Sequence, residues 1–456
     1  MTPRLVSLRI VLATILAVLS GGAGEANELY FDFNANRVGN TAIASVFLFG
    51  NAGQGATVSN LAGFSQSIAL GVDGFFNLPI PNTFQQSGTG VVNSGFKVVS
   101  PDPIAGYFVN RAGFSTDMAF LFNNANLGTN YVVASQGAGF GEGSQVAIHA
   151  VQDGTNVTFT PTGGAPINVT LNAGQTYKFA GGATNLTGSF VSANNPVAVF
   201  SGHECAQVPV GTTFCDTLLE QMIPTNKLSS TYELTASKGA NLAVSHSDLV
   251  RVIATQDGTV VKVNGATVAT LNAGQFHEFN LSAGTGAKVE SSAPVLVAQY
   301  LTGGGGADTD PAMSVVPGQD SWLKSYKLST PSGAQAFIVN YASIVIDQAS
   351  IGSLQLDGVA VNPALFALIP GTTFLQGNID LPLGLFTLTA DTPFEVMLGG
   401  GSAADSYYTF GGATFAEGVS PPEPPNPGVP GVPEPSSLIL LGLGLLGLGA
   451  WCRKAA

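Results

Sequence analysis

The chain has 456 residues, with 58 Gly, 26 Pro and only about 9% charged residues. Long solvent-exposed helices need Glu, Lys and Arg on their outer face and are weakened by interior Gly, so this composition favours an all-β fold. The net charge of −13 would repel a phosphate backbone, which excludes nucleic acid as an expected partner.

The chain begins with the pattern of a secretory signal peptide over residues 1–26. Arg4 and Arg9 precede an uninterrupted apolar run at 10–19, which small residues follow at 20–24. Ten apolar residues form a helix of about 15 Å, too short to cross a bilayer comfortably. This order predicts export with removal of the segment, and an uncleaved N-terminal anchor is the alternative.

The body between residues 27 and 419 is internally repetitive. Residues 146–203 and 250–303 share, in the same order, the motif Gln-Asp-Gly-Thr and the motif Leu-Asn-Ala-Gly-Gln. A strand-like apolar run that begins with a proline closes both segments, and fainter copies of that run occur elsewhere. The four prolines concerned are Pro103, Pro196, Pro294 and Pro393. Self-similarity at a fixed period indicates a repeat architecture.

Each period reads as several short strands separated by turn signals. Asp153-Gly154 and Asp257-Gly258 lie between apolar runs and predict tight hairpins. The runs that start at Pro196 and Pro294 are apolar on both faces, which is typical of strands covered on each side. The predicted fold is tandem β-sandwich-like repeats of about 95–100 residues. A radial, β-propeller-like arrangement is the alternative.

The predicted domain organisation follows from these features. The N-terminal β module takes residues 27–144, a β repeat with a disulfide-bearing insertion takes 145–245, and two further β repeats take 246–330 and 331–419. A Pro-rich linker at 420–435 and a transmembrane sorting tail at 436–456 complete the chain.

Residues 145 to about 400 resemble the IgGFc-binding protein N-terminal domain family. The resemblance depends on an ordered set of segments rather than on one motif: Ala150–Thr155, Leu186–Ser189, Asn195–Gly202, Cys205–Cys215 with Glu220, Gln221 and Pro224, and Asp310–Met313. It implies an extracellular binding or adhesive module without assigned chemistry.

The C-terminus resembles the PEP-CTERM sorting signal of Gram-negative bacteria. Val432, Pro433, Glu434 and Pro435 precede a Leu/Gly-rich span, and Trp451, Cys452, Arg453 and Lys454 close it. The resemblance implies an exosortase-type processing enzyme as a partner. Arg453 and Lys454 should act as a stop-transfer signal on the cytoplasmic side, so the tail should contact the membrane at least transiently. Because this address is bacterial, antibody binding is not carried over from the family name.

Candidate chemistry in the body is sparse. Cys205 and Cys215 are the only cysteine pair in the exported part, so an oxidising compartment predicts a disulfide between them. His203 and Glu204 lie beside Cys205, but nucleophilic catalysis needs a positioned base and zinc needs three or four ligands. We therefore expect no catalytic residue, no metal and no cofactor.

Two further features allow a ligand. Asp308 and Asp310 in a Gly-rich loop supply two carboxylates to a possible Ca²⁺ site, although Ca²⁺ takes six to eight oxygens. Tyr407 and Tyr408, with the Phe-rich first hundred residues, supply rings that stack on sugars. The function predicted first is a non-catalytic adhesive or binding protein of the cell surface or extracellular matrix that recognises a glycan or glycoprotein. A carbohydrate-binding module for exopolysaccharide is the alternative, and a secreted hydrolase is the second alternative.

Overall fold

The computed structural model describes residues 27–36, 44–239, 246–304, 310–402 and 404–415. Within those ranges it contains 32 β-strands and no α-helix, which confirms the predicted fold class. No helix of this part is long and apolar enough to cross a membrane. The predicted signal peptide, linker and tail helix lie outside the described residues. Short 3₁₀ helices occur at Asn82–Phe84, Asn124–Asn126, Thr225–Lys227, Gln319–Ser321, Gly333–Gln335, Ile351–Ser353 and Pro363–Leu365.

Residues 27–126, here called repeat 1, form a sandwich of two four-stranded sheets. One sheet has the strand order β1-β7-β3-β4 and the other the order β5-β2-β8-β9. The strands are β1 (Asn27–Phe31), β2 (Ser45–Phe49), β3 (Gly55–Asn60), β4 (Ser65–Ala69), β5 (Phe75–Pro79), β6 (Gly90–Val92), β7 (Phe96–Ser100), β8 (Ala105–Ala112) and β9 (Ser115–Phe120). The short strand β6 pairs with the next repeat.

The same strand plan returns three times. Repeat 2 (128–227) has β10 (Gly128–Val132), β11 (Gly139–Ala150), β12 (Thr155–Thr160), β13 (Ile167–Leu171), β14 (Thr176–Gly182), β15 (Phe190–Ala206) and β16 (Asp216–Gln221). Repeat 3 (231–321) has β17 (Thr231–Thr235), β18 (Ser247–Ala254), β19 (Thr259–Val263), β20 (Ala266–Leu271), β21 (Phe276–Ser282), β22 (Gly286–Ser291), β23 (Val295–Leu301) and β24 (Ala312–Val315). Repeat 4 (323–410) has β25 (Leu323–Ser329), β26 (Val339–Asp347), β27 (Gln355–Leu356), β28 (Val359–Ala360), β29 (Phe366–Leu368), β30 (Phe374–Asp380), β31 (Leu385–Ser402) and β32 (Asp405–Phe410).

Strand pairing shows that the four repeats are equivalent. Repeat 3 has the sheets β17-β22-β19-β20 and β21-β18-β23-β24, which match those of repeat 1 strand for strand. In repeats 2 and 4 one long strand, β15 or β31, takes two positions of this plan and joins both sheets into one. The sandwich-like repeats are thus confirmed, whereas the domain limits predicted above concern independent folding and stay predictions.

The predicted Asp-Gly hairpins are wrong, because the strands on either side of each turn do not pair. Gly258, at φ 71°, ends the connection between β18 and β19, which belong to different sheets. The Asp257 carboxylate accepts the Ala273 N–H (2.9 Å), and Asp153 accepts the Ala173 N–H in the same way (3.0 Å). The two repeated motifs therefore bind each other and hold neighbouring turns together.

A tyrosine anchors the first strand of repeats 2, 3 and 4. The Tyr131 hydroxyl accepts the Gly128 N–H (2.7 Å) and donates to the Val197 carbonyl (2.6 Å). Tyr232 and Tyr326 form the same pair of bonds, donating to the carbonyls of Val295 and Phe394. Each acceptor directly follows one of the regularly spaced prolines, so the proline period marks this contact.

The four repeats are arranged around a common axis. The last strand of each repeat, β9, β16, β24 or β32, is an edge strand that contacts the last strand of the next repeat. Repeat 4 closes on repeat 1, where the Phe120 N–H donates to the Thr409 hydroxyl (3.2 Å) and Lys327 Nζ donates to the Gly50 carbonyl (2.9 Å). The fold thus combines the sandwich repeats with the radial arrangement that was the alternative.

Candidate functional site

The centre of the axis is polar and is organised by Asp117 of β9. This fully buried carboxylate accepts backbone N–H groups from all four axial strands: Met118 (2.9 Å), Leu219 (2.9 Å), Met313 (3.0 Å) and Tyr408 (3.3 Å). Burial raises its pKa well above the usual range, and the four N–H groups oppose that rise. Edge strands leave N–H groups without ladder partners, and Asp117 satisfies one in every repeat.

Glu220 of β16 adds a second link across the axis. Its buried carboxylate accepts the hydroxyls of Ser314 (3.0 Å) and Thr409 (3.3 Å), which belong to repeats 3 and 4. Burial and the neighbouring Asp117 raise the pKa of Glu220 well above its usual range. The axis is therefore a polar core, in which hydrogen bonds between strands of different repeats fix the repeats relative to one another.

Three more carboxylates lie where the axial strands begin. Asp216 and Asp405 are the first residues of β16 and β32, and Asp310 precedes β24. All three are at least 97% buried. Burial, together with the charge of Asp405, raises the pKa of Asp310 to about 7. Burial raises the pKa of Asp405 to about 6, although Arg111 lies 3.0 Å away and lowers it.

These carboxylates do not amount to a recognisable metal centre. Within the described ranges, no group of three or more His, Cys, Asp and Glu side chains is arranged so that it could hold a metal ion. Asp308, the other half of the predicted Ca²⁺ pair, lies outside those ranges. Burial raises the pKa of both Asp310 and Asp216, and the charge of Asp405 raises both further, so these like charges oppose one another's ionisation.

The connections that lead into the axial strands gather at one end of the axis, here called the loop face. They are 113–114 in repeat 1, 207–215 in repeat 2, 302–304 with 310–311 in repeat 3, and residue 404 in repeat 4. The connections of repeats 2 and 3 touch, because the Gly303 N–H donates to the Val208 carbonyl (2.8 Å). The Asp310 N–H donates to the Ser406 hydroxyl at the start of β32 (3.0 Å).

The loop face exposes large apolar side chains. Phe114, at the tip of the β8–β9 hairpin, is 73% exposed and has a φ of 64°. Val210 is 73% exposed. Ile338, just before β26, borders the loop face, because its N–H donates to the Ser402 hydroxyl beside the repeat 4 connection (3.2 Å), and it is 84% exposed. Phe140 and Phe214 are exposed to a smaller extent. A bulky residue at positive φ is strained, and exposed apolar groups on loops over a rigid scaffold are typical of interaction sites.

The disulfide closes the connection of repeat 2. Cys205 and Cys215 are bonded, with their Cα atoms 5.1 Å apart, and the loop between them carries Val210 and Phe214. The Cys205 sulfur is bonded and therefore unavailable as the nucleophile that was considered for the cluster His203-Glu204-Cys205. His203 Nδ1 accepts the Cys205 N–H (3.0 Å), and burial lowers the pKa of His203 to about 4. The Glu204 carboxylate accepts the Glu142 N–H. These three residues therefore shape the loop.

The proposed sugar-stacking role of Tyr407 and Tyr408 is wrong. Both side chains are completely buried in β32, and the Tyr407 hydroxyl donates to Asn340 Oδ1 (2.8 Å). Most phenylalanines of the first hundred residues are also buried, such as Phe31 against Phe96 with ring centroids 4.7 Å apart. The short strand β32 lies at the axis between β31 and β9, so neither tyrosine ring is open to a ligand.

A cleft of about 500 Å³ lies between repeats 3 and 4. Repeat 3 contributes Ser237, Lys238, His246, Ala283 and Gly284, and repeat 4 contributes Leu365, Ala367, Gln376, Gly377 and Asn378. Lys238 is ion-paired with Asp380. The cleft has the size of a small-molecule site and combines polar with aliphatic groups.

Several of these residues give no motif in the sequence. Asp117 and Glu220 lie in ordinary strand patterns, and their partners in other repeats are more than ninety residues away. Arg251 donates to the Ser135 carbonyl (2.5 Å) and the Thr187 hydroxyl (2.7 Å) across the interface of repeats 2 and 3. Its charge inside an apolar strand is a signal that could have marked it, because buried Arg needs partners.

Four sandwich repeats closed around a buried polar axis define an all-β repeat protein with one loop-bearing end. A family model described as IgGFc binding protein matches residues 117–400, and a PEP-CTERM protein-sorting motif matches residues 431–454. The chain belongs to the IgGFc-binding protein family, since that match covers more than half of its length. Both resemblances noted from sequence are thereby confirmed, and the sorting motif indicates export to the cell surface.

Among known proteins, the IgGFc-binding protein of Homo sapiens is 27% identical over 304 residues. The match covers 62% of this chain, and the chain spans 5% of the length of that relative. A solved structure of the Ca²⁺-stabilized adhesin with which an Antarctic bacterium binds ice is 12% identical and covers 83% of this chain and 95% of the adhesin chain. Its TM-score of 0.12 is too low to support an inference about fold.

Proposed function

We propose that this chain is a non-catalytic adhesive protein, sorted by an exosortase-type enzyme and displayed on the cell surface or in the extracellular matrix. It holds a glycan or glycoprotein partner through its loop face. The observation that carries the proposal is the apolar loop face, formed by Phe114, Val210 and Ile338 on a body that a sorting motif follows. Strands fix the loops, and the disulfide closes the longest described one.

Sorting is tested by changing the motif in the producing cells. The variant P433A/E434A/P435A should stay in the membrane with its tail intact, because the processing enzyme loses its recognition sequence. The linker contains a matched control, since Pro422, Glu423 and Pro424 repeat the same three residue types upstream. P422A/E423A/P424A should reach the surface like the parent chain. Equal fractionation of both variants, measured with mass spectrometry of the C-terminus, would contradict exosortase sorting.

Binding is tested on matrix from the same cells. The triple variant F114S/V210S/I338S removes the apolar tips of the loop face and should lose most of its retention. The control V72S/V268S/V359S removes three exposed apolar side chains that lie outside the loop face and should bind like the parent. Loss of binding in the control, or retention in the loop-face variant, would place the binding surface elsewhere.

A further inference from the structure

The cleft between repeats 3 and 4 is lined by basic side chains in an otherwise acidic protein. Lys238 and His246 both line it, and none of its described lining residues is acidic. The whole chain carries a net charge of −13, so a cleft with two basic side chains differs from its surroundings. A ligand that prefers this cleft to the remaining surface should therefore be an anion.

The Lys238 ammonium can exchange its present partner, Asp380, for a ligand group. It is paired with Asp380, whose side chain is 79% exposed, whereas the Lys238 side chain is 17% exposed. An exposed carboxylate holds an ammonium weakly, because water and salt screen the pair. A ligand carboxylate can therefore take the place of Asp380 while the protein carboxylate turns to solvent.

Hydrogen bonds hold His246 and the side-chain amides of Gln376 and Asn378 in fixed positions. His246 Nε2 lies 2.9 Å from the Ser237 carbonyl oxygen, and Ser237 donates through its hydroxyl to the buried Asp248 (2.6 Å). Gln376 donates to the Gly284 carbonyl (2.9 Å), and Asn378 donates to the Ala236 carbonyl (3.1 Å). Each amide nitrogen has a second hydrogen, so each keeps a donor for a ligand hydroxyl.

Leu365 and Ala367 give the cleft an aliphatic wall. A pyranose ring presents a C–H face to such a wall and hydroxyls around its edge, and a uronic acid adds one carboxylate. Resting on the binding function proposed above, we infer that this cleft takes a carboxylate-bearing sugar of the uronic acid class. The ligand carboxylate meets Lys238, its hydroxyls meet Gln376 and Asn378, and its ring lies against Leu365.

The test is a titration of the purified full-length chain with tri-galacturonic acid and with the methyl ester of the same trisaccharide. The ester keeps the rings and hydroxyls but removes the charge. The acid should bind at least tenfold more tightly than the ester, and added salt should weaken the acid only. Equal affinity for acid and ester, or binding of neither, would overturn the inference.

Three variants assign any binding to the cleft. K238M should weaken the acid at least tenfold, whereas K324M, which removes an exposed lysine outside the cleft, should leave it unchanged. D380N removes the competing carboxylate charge beside the ammonium, so it should bind the acid as tightly as the parent or more tightly. Unchanged affinity in K238M, or loss in D380N, would also overturn the inference. If matrix retention through the loop face persists without uronate binding, the proposed function stands and the ligand of the cleft is wrong.

Discussion

Asp117 shows at the scale of one residue how four repeats are held together. Its two oxygens accept N–H groups from four strands, three of which belong to other repeats. A buried N–H without a partner costs about 1–3 kcal/mol, so one side chain here prevents several such losses.

We therefore expect D117N to lower the free energy of unfolding by about 2–4 kcal/mol, because the amide nitrogen would face two backbone donors. The measurement is urea denaturation followed by circular dichroism. D391N is the control, since Asp391 is exposed, and it should change stability by less than about 0.5 kcal/mol. Equal midpoints for D117N and the parent chain would refute the role assigned to Asp117.

The raised pKa values at the loop face predict an unusual dependence of stability on pH. The pKa of Asp310 is about 7 in the folded chain, above its ordinary value of 3.8, and that of Asp405 is about 6. Between about pH 4 and pH 7, the folded chain therefore binds more protons than the unfolded chain. Stability from these groups is full below about pH 4 and is lost as the pH rises towards 7.

The variant D310N isolates this effect, because an amide resembles the protonated acid and does not ionise. Between pH 4 and pH 8 its urea midpoint should fall less steeply than that of the parent chain, and the two curves should differ most near pH 8. Parallel curves would show that Asp310 does not hold a proton in the folded chain.

At the scale of elements, the disulfide loop is the clearest case in which a connection is held in place. Cys205 and Cys215 are separated by ten positions, and closing a loop of that length stabilises the folded state by about 3 kcal/mol on the chain-entropy model. The double variant C205S/C215S should lose about that much and should also lose loop-face binding, because Val210 and Phe214 would no longer be held.

Two measurements check this expectation. Reductant should lower the thermal unfolding temperature of the parent chain but not that of the double variant. Thiol titration of the folded, exported chain should find no reaction at Cys205 or Cys215, so the only reactive thiol would be Cys452 if the tail is retained. Two additional reactive thiols in the parent chain would contradict the bond.

The elements also show what the sequence can and cannot reveal. Repeated motifs predicted the sandwich repeats because Asp257 and Pro294 each serve a local turn or strand start that recurs. The Asp-Gly hairpins were predicted wrongly because a turn signal does not say whether the following strand stays in the same sheet. The role of Asp117 and the cleft at Lys238 depend on contacts between repeats, which leave no periodic pattern.

At the scale of the whole molecule, the closed ring distinguishes this protein from a string of independent sandwiches. Repeat 1 meets repeat 4 through Arg111 with Asp405 and through Lys327 with the Gly50 carbonyl. Arg111 also lies over the Phe337 ring, 4.7 Å from its centroid. Each repeat thus has two neighbours, and the ends of the body support each other. A ring of this kind should unfold cooperatively, whereas separate domains unfold one at a time.

Tryptophan fluorescence makes this cooperativity measurable, because the chain has only Trp322 and Trp451. In a W451F background the signal comes from Trp322, which directly precedes repeat 4, is 5% exposed and packs against Phe374 of that repeat. Adding D117N in repeat 1 should lower two urea midpoints by the same amount, the one from Trp322 fluorescence and the one from circular dichroism. An unmoved Trp322 midpoint with a two-step dichroism curve would mean that repeat 4 unfolds independently. The shared shift is expected because Asp117 binds the Tyr408 N–H of repeat 4 directly, so its loss reaches that repeat without passing through the other two.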